Sequence, residues 1–251
     1  VILQVEKLTK QFGGLVAVDE LGFHVDQSEI LGIIGPNGAG KTTVLNMISG
    51  FYPPTSGKIV FANQDITGLK AHQVSRLGIG RNFQASALFM SLPVIENVFI
   101  ACHLSYETNF LTRLLRLPAA RREDKKLRQK AVEILEFMGL DSLQDELAKN
   151  LPHGYQRILG ICIALATNPR LLLLDEPVTG MNQTEMQATL DLIRRIRDSG
   201  ITIVMIEHNM SAVMSLCDRI VVLSHGQKIA EGLPKEIQEN EAVIEAYLGK
   251  E

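Results

Sequence analysis

The 251-residue chain has no Trp, and its aromatic content is only 5%. So small an aromatic supply argues against surfaces that stack nucleic-acid bases. Charge of one sign is not in excess either: the formal net charge is -3, which argues against a dedicated nucleic-acid binder. Long apolar runs are missing. The stretches Ile158–Ala166 and Arg170–Leu174 fall short of the roughly 20 residues that cross a bilayer. Any membrane role is therefore expected to come through a partner. Cys102, Cys162 and Cys217 are odd in number, far apart and without metal-ligand spacing. They are expected to be small buried hydrophobes in a reducing cytosol. No signal peptide is expected at the start of the chain. It starts at Val1 rather than Met, so an initiator is expected to lie outside this numbering.

What is present is an ordinary globular composition, with 46% hydrophobic and 21% charged residues. The length is enough to bury a full core as one domain with a subdomain. The first sixty residues suggest strands. Ile2–Val5 and Phe23–Val25 are apolar or alternating, with Gly13-Gly14 as a turn. Ile30–Ile34 is a continuous apolar run, as expected of a strand buried on both faces. A Gly-rich loop follows, then a helix over Thr42–Ser49 that stops at Gly50, and a strand over Gly57–Phe61. From about Ala85 to Ala166 the character is helical, including an apolar stripe through Ala131, Leu135 and Met138 ended by Gly139. Strand and helix then alternate: Leu171–Leu174, a helix over Glu185–Asp198, Ile201–Ile206, and Arg219–Ser224 with Lys228–Ala230 around a hairpin turn at His225-Gly226-Gln227. The pattern is an α/β core interrupted by a helical insert. Between Arg113 and Lys130, eight basic residues face two acidic ones, a local +6 against -9 for the remainder. A solvated helix face explains this; so would contact with anionic lipid headgroups or an acidic partner.

Gly35-Pro36-Asn37-Gly38-Ala39-Gly40-Lys41-Thr42 fits G-x-x-x-x-G-K-[ST]. Glycines let the backbone curl so that N–H groups face phosphate oxygens, and the following helix adds the positive end of its dipole. Lys41 can reach the β- and γ-phosphates, and the Thr42 hydroxyl can ligate Mg²⁺. The loop lies between a buried strand and a helix, the context such a motif needs. A second element supports it. Leu171–Leu174 ends in Asp175-Glu176, 134 residues after Lys41. Asp175 suits the Mg²⁺ shell, as in P-loop hydrolases, and Glu176 suits polarising an attacking water.

With these motifs in this order, the whole chain resembles the nucleotide-binding subunits of ABC transporters. The resemblance implies the ABC ATPase fold: a P-loop NTPase core, an N-terminal antiparallel β-subdomain and an inserted α-helical subdomain. It implies a single domain over 1–251, with the nucleotide-binding core in 1–84 and 167–251 and the helical signature subdomain in 85–166. It implies ATP and Mg²⁺, an ATP-hydrolase activity, and a nucleotide-contacting set of Phe12, Val18 and Gly35 through Thr43 (Gly35, Pro36, Asn37, Gly38, Ala39, Gly40, Lys41, Thr42 and Thr43). Phe12 stands where the family places an aromatic that stacks on adenine. Gln84, in Arg81-Asn-Phe-Gln84, fits the Q-loop that senses Mg²⁺ and water and links to the transmembrane partner. His208 fits the switch histidine that contacts the γ-phosphate, so that Glu176, His208 and Gln84 form the catalytic set. Thr42, Gln84 and Asp175 form the metal set.

Two motifs depart from the family pattern. The signature, usually Leu-Ser-Gly-Gly-Gln, is Leu151-Pro152-His153-Gly154-Tyr155. Pro152 replaces the serine hydroxyl that would reach the γ-phosphate bound to the opposing subunit, and Pro is compatible with a helix's first turn. The D-loop usually ends in Leu-Asp; here it is Met181-Asn182, which keeps hydrogen bonding and loses charge. Hydrolysis is expected to survive, since one neutral hydrogen bond is worth about 0.5–1.5 kcal/mol.

Asp65–Leu69, Leu77–Gln84, Thr179–Asn182 and the tail Ala230-Glu-Gly with Glu245–Gly249 look most like the larger ATP-binding subunit of bacterial branched-chain amino acid importers. Similar subunits serve urea or amide importers, and the lipopolysaccharide export ATPase is a near relative. The resemblance implies a second ABC ATPase subunit as partner, in a homodimer or in a heterodimer with a smaller paralogue. It also implies transmembrane permease subunits, an external solute-binding protein acting indirectly, no nucleic acid, and a place on the cytoplasmic face of the bacterial inner membrane. A non-transport ABC ATPase or a regulator without catalysis is disfavoured by the chain's length and by Lys41, Asp175, Glu176 and His208.

Overall fold

The computed structural model describes residues 1–82, 88–103 and 118–248. It opens on two long antiparallel strands, β1 (Leu3–Phe12) and β2 (Leu15–Val25), joined through Gly13-Gly14. They extend well beyond the apolar segments that signal them. Gln4, Glu6 and Gln11 sit on the exposed side, while Leu3, Val5, Leu8, Val18 and Leu21 are buried. The register shifts along this pair contain Lys7 and Glu20, both at φ 44, which bend and twist the ribbon.

Next comes β3 (Ile30–Ile34), buried at every position, and helix α1 (Lys41–Ile48). The strands β4 (Ser56–Phe61) and β5 (Gln64–Asp65), helix α2 (Ala71–Arg76) and strand β6 (Ile79–Arg81) follow. An antiparallel sheet forms in the order β2-β1-β4-β5.

The chain divides into two compact units, one of Val1–Arg81 with Arg170–Glu251 and one of Asn82–Pro169. The second unit holds α3 (Val94–Cys102), α4 (Pro118–Phe137) and α5 (His153–Ala166). These pack on each other through Val94, Val98, Leu127, Ala131, Leu135, Leu159 and Cys162, all buried. Gly139, at φ 72, lets the chain turn just past α4. Buried Asn97 accepts from the N–H of Phe89 at 2.8 Å and donates to the carbonyl of Pro93 at 3.0 Å, fixing the entry to α3. On α4, Arg121, Arg122, Lys125 and Lys126 are exposed, Arg128 pairs with Glu96 at 2.8 Å, and Lys130 donates to Ala166 O at 2.9 Å. Arg113 and Arg116 lie outside the described residues.

The remainder of the first unit is β7 (Leu171–Asp175), α6 (Gln183–Asp198), β8 (Thr202–Ile206), α7 (Met210–Leu216), β9 (Arg219–Ser224), β10 (Gln227–Gly232), α8 (Pro234–Gln238) and α9 (Glu241–Leu248). A six-stranded sheet runs β10-β9-β3-β8-β7-β6, parallel except for the β10 edge. The two-residue turn before β10, His225-Gly226, has φ of 47 and 82, the left-handed pair that a tight hairpin demands. One core cluster joins both sheets around α1: Val44, Leu45 and Ile48 meet Leu3, Val5, Leu8, Leu31 and Ile33. Each such buried side chain contributes about 1.5–3 kcal/mol over its exposed state.

The central strand β3 is flanked by β8 and β9, neither its neighbour in sequence. Such a switch in strand order leaves a crevice at the carboxyl ends of the parallel strands. Gly35–Gly40 follows β3, Glu176 follows β7, Glu207-His208 follows β8 and His225 follows β9. The fold therefore delivers these residues to one edge.

Candidate nucleotide site

A cavity of about 510 Å³ opens at that edge. It is lined by Phe12, by Asn37 through Thr43, by Glu176 and by His208, together with Leu15, Val16, Ala17 and His225. Asn37–Gly40 form an arc whose closeness to β2 requires glycine: Gly40 sits at φ 99, and a Cβ there would run into Ala17 O. The hairpin turn supports the arc from behind, since Gly226 donates its N–H to Ala39 O at 3.1 Å while its own carbonyl accepts from Asp19 N at 2.9 Å.

Lys41 opens α1 and is buried. Its ammonium folds back on the loop, donating to Gly35 O at 2.8 Å and Pro36 O at 2.9 Å. Burial lowers its pKa from the ordinary lysine value, with the charges of Glu176 and Asp175 pulling the other way. An ammonium whose hydrogen bonds go to neutral carbonyls is poised to exchange them for phosphate oxygens.

Asp175, the last residue of β7, is also buried. Its Oδ2 accepts from Arg81 Nη2 at 3.0 Å, and both side chains are below a tenth exposed. Arg81 Nη1 donates to Asn46 Oδ1 at 2.7 Å and Ser49 Oγ at 3.0 Å, both at the far end of α1. One guanidinium thus ties β6, β7 and the loop's helix together. The Thr42 hydroxyl and the Asp175 carboxylate are hard oxygen donors, and Thr42 lines the cavity. Hard oxygens of this kind suit Mg²⁺, though Asp175, engaged by Arg81, is not among the residues that line the cavity.

Glu176 occupies φ 50, a left-handed conformation unusual for a glutamate. Such a conformation costs about 1–3 kcal/mol and persists where the surroundings over-determine it. Here its N–H is held by Ile206 O at 2.9 Å. His208 Nε2 lies 3.1 Å from Glu176 Oε1, and Thr179 Oγ1 is 3.4 Å from Glu176 Oε2. Both Glu176 and His208 keep partial exposure to the cavity.

Other residues singled out by sequence fall as follows. Phe12 is 43% exposed on the cavity rim, edge-on to Tyr52 with centroids 5.5 Å apart. Val18 is fully buried and does not line the cavity: the register of β2 is irregular here, and its side chain packs against Gly40 while Leu15, Val16 and Ala17 line the cavity. Gly35 and Pro36 act from beneath, through the carbonyls that hold Lys41. Asn182 caps α6: its side chain accepts from Glu185 N at 3.0 Å, and Glu185 returns the bond to Asn182 N. Met181 is half-buried beside it, its sulfur 3.3 Å from Thr189 Oγ1. In the inserted unit, Leu151 is buried, Pro152 is the N-cap of α5, and His153 and Tyr155 are exposed on its first turn around half-buried Gly154. Gln84 lies outside the described residues. The three cysteines are free and buried, and burial pushes the Cys217 thiol up to about 12.

Four participants escaped the sequence reading: Arg81, Glu207, His225 and Tyr247. Tyr247, on α9, shares a hydrogen bond with the backbone of Gly35, and burial raises its phenol's pKa. Arg81 and Glu207 each sit beside a recognised motif residue. Glu207 directly follows the fully buried strand β8, whereas Arg81 ends β6 with no local signal of its role.

A glycine-lined arc opening a helix, a strand-end Asp-Glu pair and a facing histidine on a mixed α/β fold define a P-loop nucleotide hydrolase. Residues 18–179 match the family described as ABC transporter, and residues 227–251 match that described as branched-chain amino acid ATP-binding cassette transporter. The chain is 42% identical over 250 residues to the high-affinity branched-chain amino acid transport ATP-binding protein BraF of Pseudomonas aeruginosa, covering 99% of this chain and 98% of that one. It is 41% identical, with the same coverage, to LivG of Escherichia coli strain K12, a protein of the same description. Among solved structures, the ATP-binding cassette MJ1267 superposes with a TM-score of 0.88 at 32% identity over 99% of both chains. The chain therefore belongs to the ABC transporter family and is an ATP-hydrolysing component of an ATP-powered transporter.

Proposed function

We propose that this chain powers uptake of branched-chain amino acids through separate transmembrane subunits, from the cytoplasmic face of the membrane. The observation that carries this reading is the end-to-end match to branched-chain amino acid transport ATP-binding proteins, extending through the C-terminal segment 227–251. A second ABC ATPase subunit completes the machine, and an external solute-binding protein delivers the solute. Among the described residues no helix is long and apolar enough to cross a membrane, which suits a chain that works through permease partners.

In this reading, Phe12 with Leu15 and Val16 receives the base and the Asn37–Gly40 N–H groups bind the phosphates. Lys41 leaves the carbonyls of Gly35 and Pro36 for the β- and γ-phosphates. Thr42 and Asp175, with Gln84, would hold Mg²⁺, and Arg81 orients the Asp175 carboxylate. Bound Mg²⁺ supplies charge neutralisation and alignment of the phosphate oxygens. Glu176 Oε accepts the proton of the attacking water, and His208, now 3.1 Å from that carboxylate, turns to the γ-phosphate. Leu151–Tyr155 meets the nucleotide of the opposing subunit, with Met181-Asn182 beside that contact. Reconstitution with its permease tests the assignment: a labelled branched-chain amino acid should accumulate in vesicles only with ATP and the solute-binding protein. ATP-driven uptake of other solutes without any of branched-chain amino acids would reassign the substrate.

A further inference from the structure

Glu207 follows directly on β8, where an exposed residue would be ordinary, yet it is only 1% exposed. Its two oxygens reach in different directions. Oε1 accepts the N–H of Val178 at 2.8 Å, 29 residues away in sequence, and Oε2 accepts the N–H of His208 at 3.1 Å. The N–H of Asn209 also bonds this carboxyl. Burial, the largest influence, raises its pKa from the ordinary value; the three backbone bonds oppose that, and the charge of Glu176 adds to it.

We infer that Glu207 is a positioning residue that locks the backbone of His208 to the start of the Val178–Asn182 loop, so that the two move as one unit under Glu176. The inference rests on the hydrolytic roles proposed for Glu176 and His208. Its chemistry is specific to a carboxylate. Two acceptor oxygens can serve N–H groups on both sides, whereas an amide offers one acceptor and turns an NH₂ donor toward another N–H. The anchored loop contains Thr179, whose hydroxyl faces Glu176 at 3.4 Å, and ends at Asn182, the cap of α6. On the other side, Asn209 caps α7 by accepting from Ala212 N at 3.1 Å. His208 is thus clamped between the Glu207 carboxylate and a helix start. A shift of its backbone is delivered to Val178 rather than absorbed locally.

The variants Glu207→Gln and Glu207→Ala test this, with Glu176→Gln as control. Hydrogen exchange of the nucleotide-free chain should show the Val178 and His208 amides opening roughly tenfold faster in Glu207→Gln. Affinity for a fluorescent ATP analogue should stay within about twofold, because the phosphate arc is built separately, while turnover at saturating ATP falls about tenfold or more. Wild-type protection and turnover in Glu207→Gln would overturn the inference. So would equal losses of affinity, turnover and protection across the whole parallel sheet, the pattern of a general packing defect. If Glu207→Ala does not fold, Glu207→Gln alone decides. Normal turnover in Glu176→Gln would instead remove the hydrolytic reading on which the inference stands.

Discussion

At Asp175 one close neighbour is the buried cation Arg81. Arg81 lies 3.0 Å from its carboxylate, and neither side chain has much access to water. Breaking a buried pair from one side leaves an uncompensated charge, which costs about 3–5 kcal/mol. Arg81→Met should lose stability of that order in urea unfolding, through both Asp175 and the lost bonds to Asn46 and Ser49. Arg81→Lys should lose less, since it keeps the charge but cannot bridge three partners at once. A loss below about 1 kcal/mol in Arg81→Met would show that Asp175 does not depend on this cation. Neither Arg81 nor Glu207 was legible as a site residue, because Asp175 and Val178, the partners that tie them to the site, lie 94 and 29 residues away.

The elements show why some of the fold was legible and some was not. β3, β7 and β8 are buried at all five positions each, so each leaves a continuous apolar run in the sequence. β1 and β2 have polar residues along their exposed faces and irregular register, so only their apolar ends announced them. The phosphate arc was legible because its glycines answer to geometry. Gly40→Ala should abolish nucleotide binding in a direct titration, since a Cβ both strains φ 99 and strikes Ala17 O. Val18 was expected from the resemblance alone; the irregular register of β2 at this point leaves it buried while Val16, two residues before it, lines the cavity. The signature turn makes an opposite kind of prediction. Pro152 occupies the N-cap at φ -52 and ψ 152, without a side-chain capping bond. Pro152→Ser restores one hydroxyl bond to a charged phosphate, worth about 1.5–3 kcal/mol, so turnover should change by about 10²-fold or less. An increase of several orders of magnitude would mean that the natural sequence is catalytically crippled.

No helix among the described residues can span a membrane, yet the chain belongs to a transporter family. Affinity purification of the tagged chain from its native membrane should bring down transmembrane subunits and a second ATPase subunit. Recovery of the chain alone would leave it without the machine proposed for it. Every role assigned in the cavity converges on hydrolysis at Glu176, held in its strained conformation at the end of β7. The most direct measurement is therefore steady-state ATP hydrolysis by Glu176→Gln beside the wild type, with ATP binding titrated in parallel. Loss of a general base should cut turnover by about 10²-fold or more while ATP binding is kept. Turnover within about twofold of the wild type, with binding intact, would contradict Glu176 as the base and with it the mechanism drawn for this site.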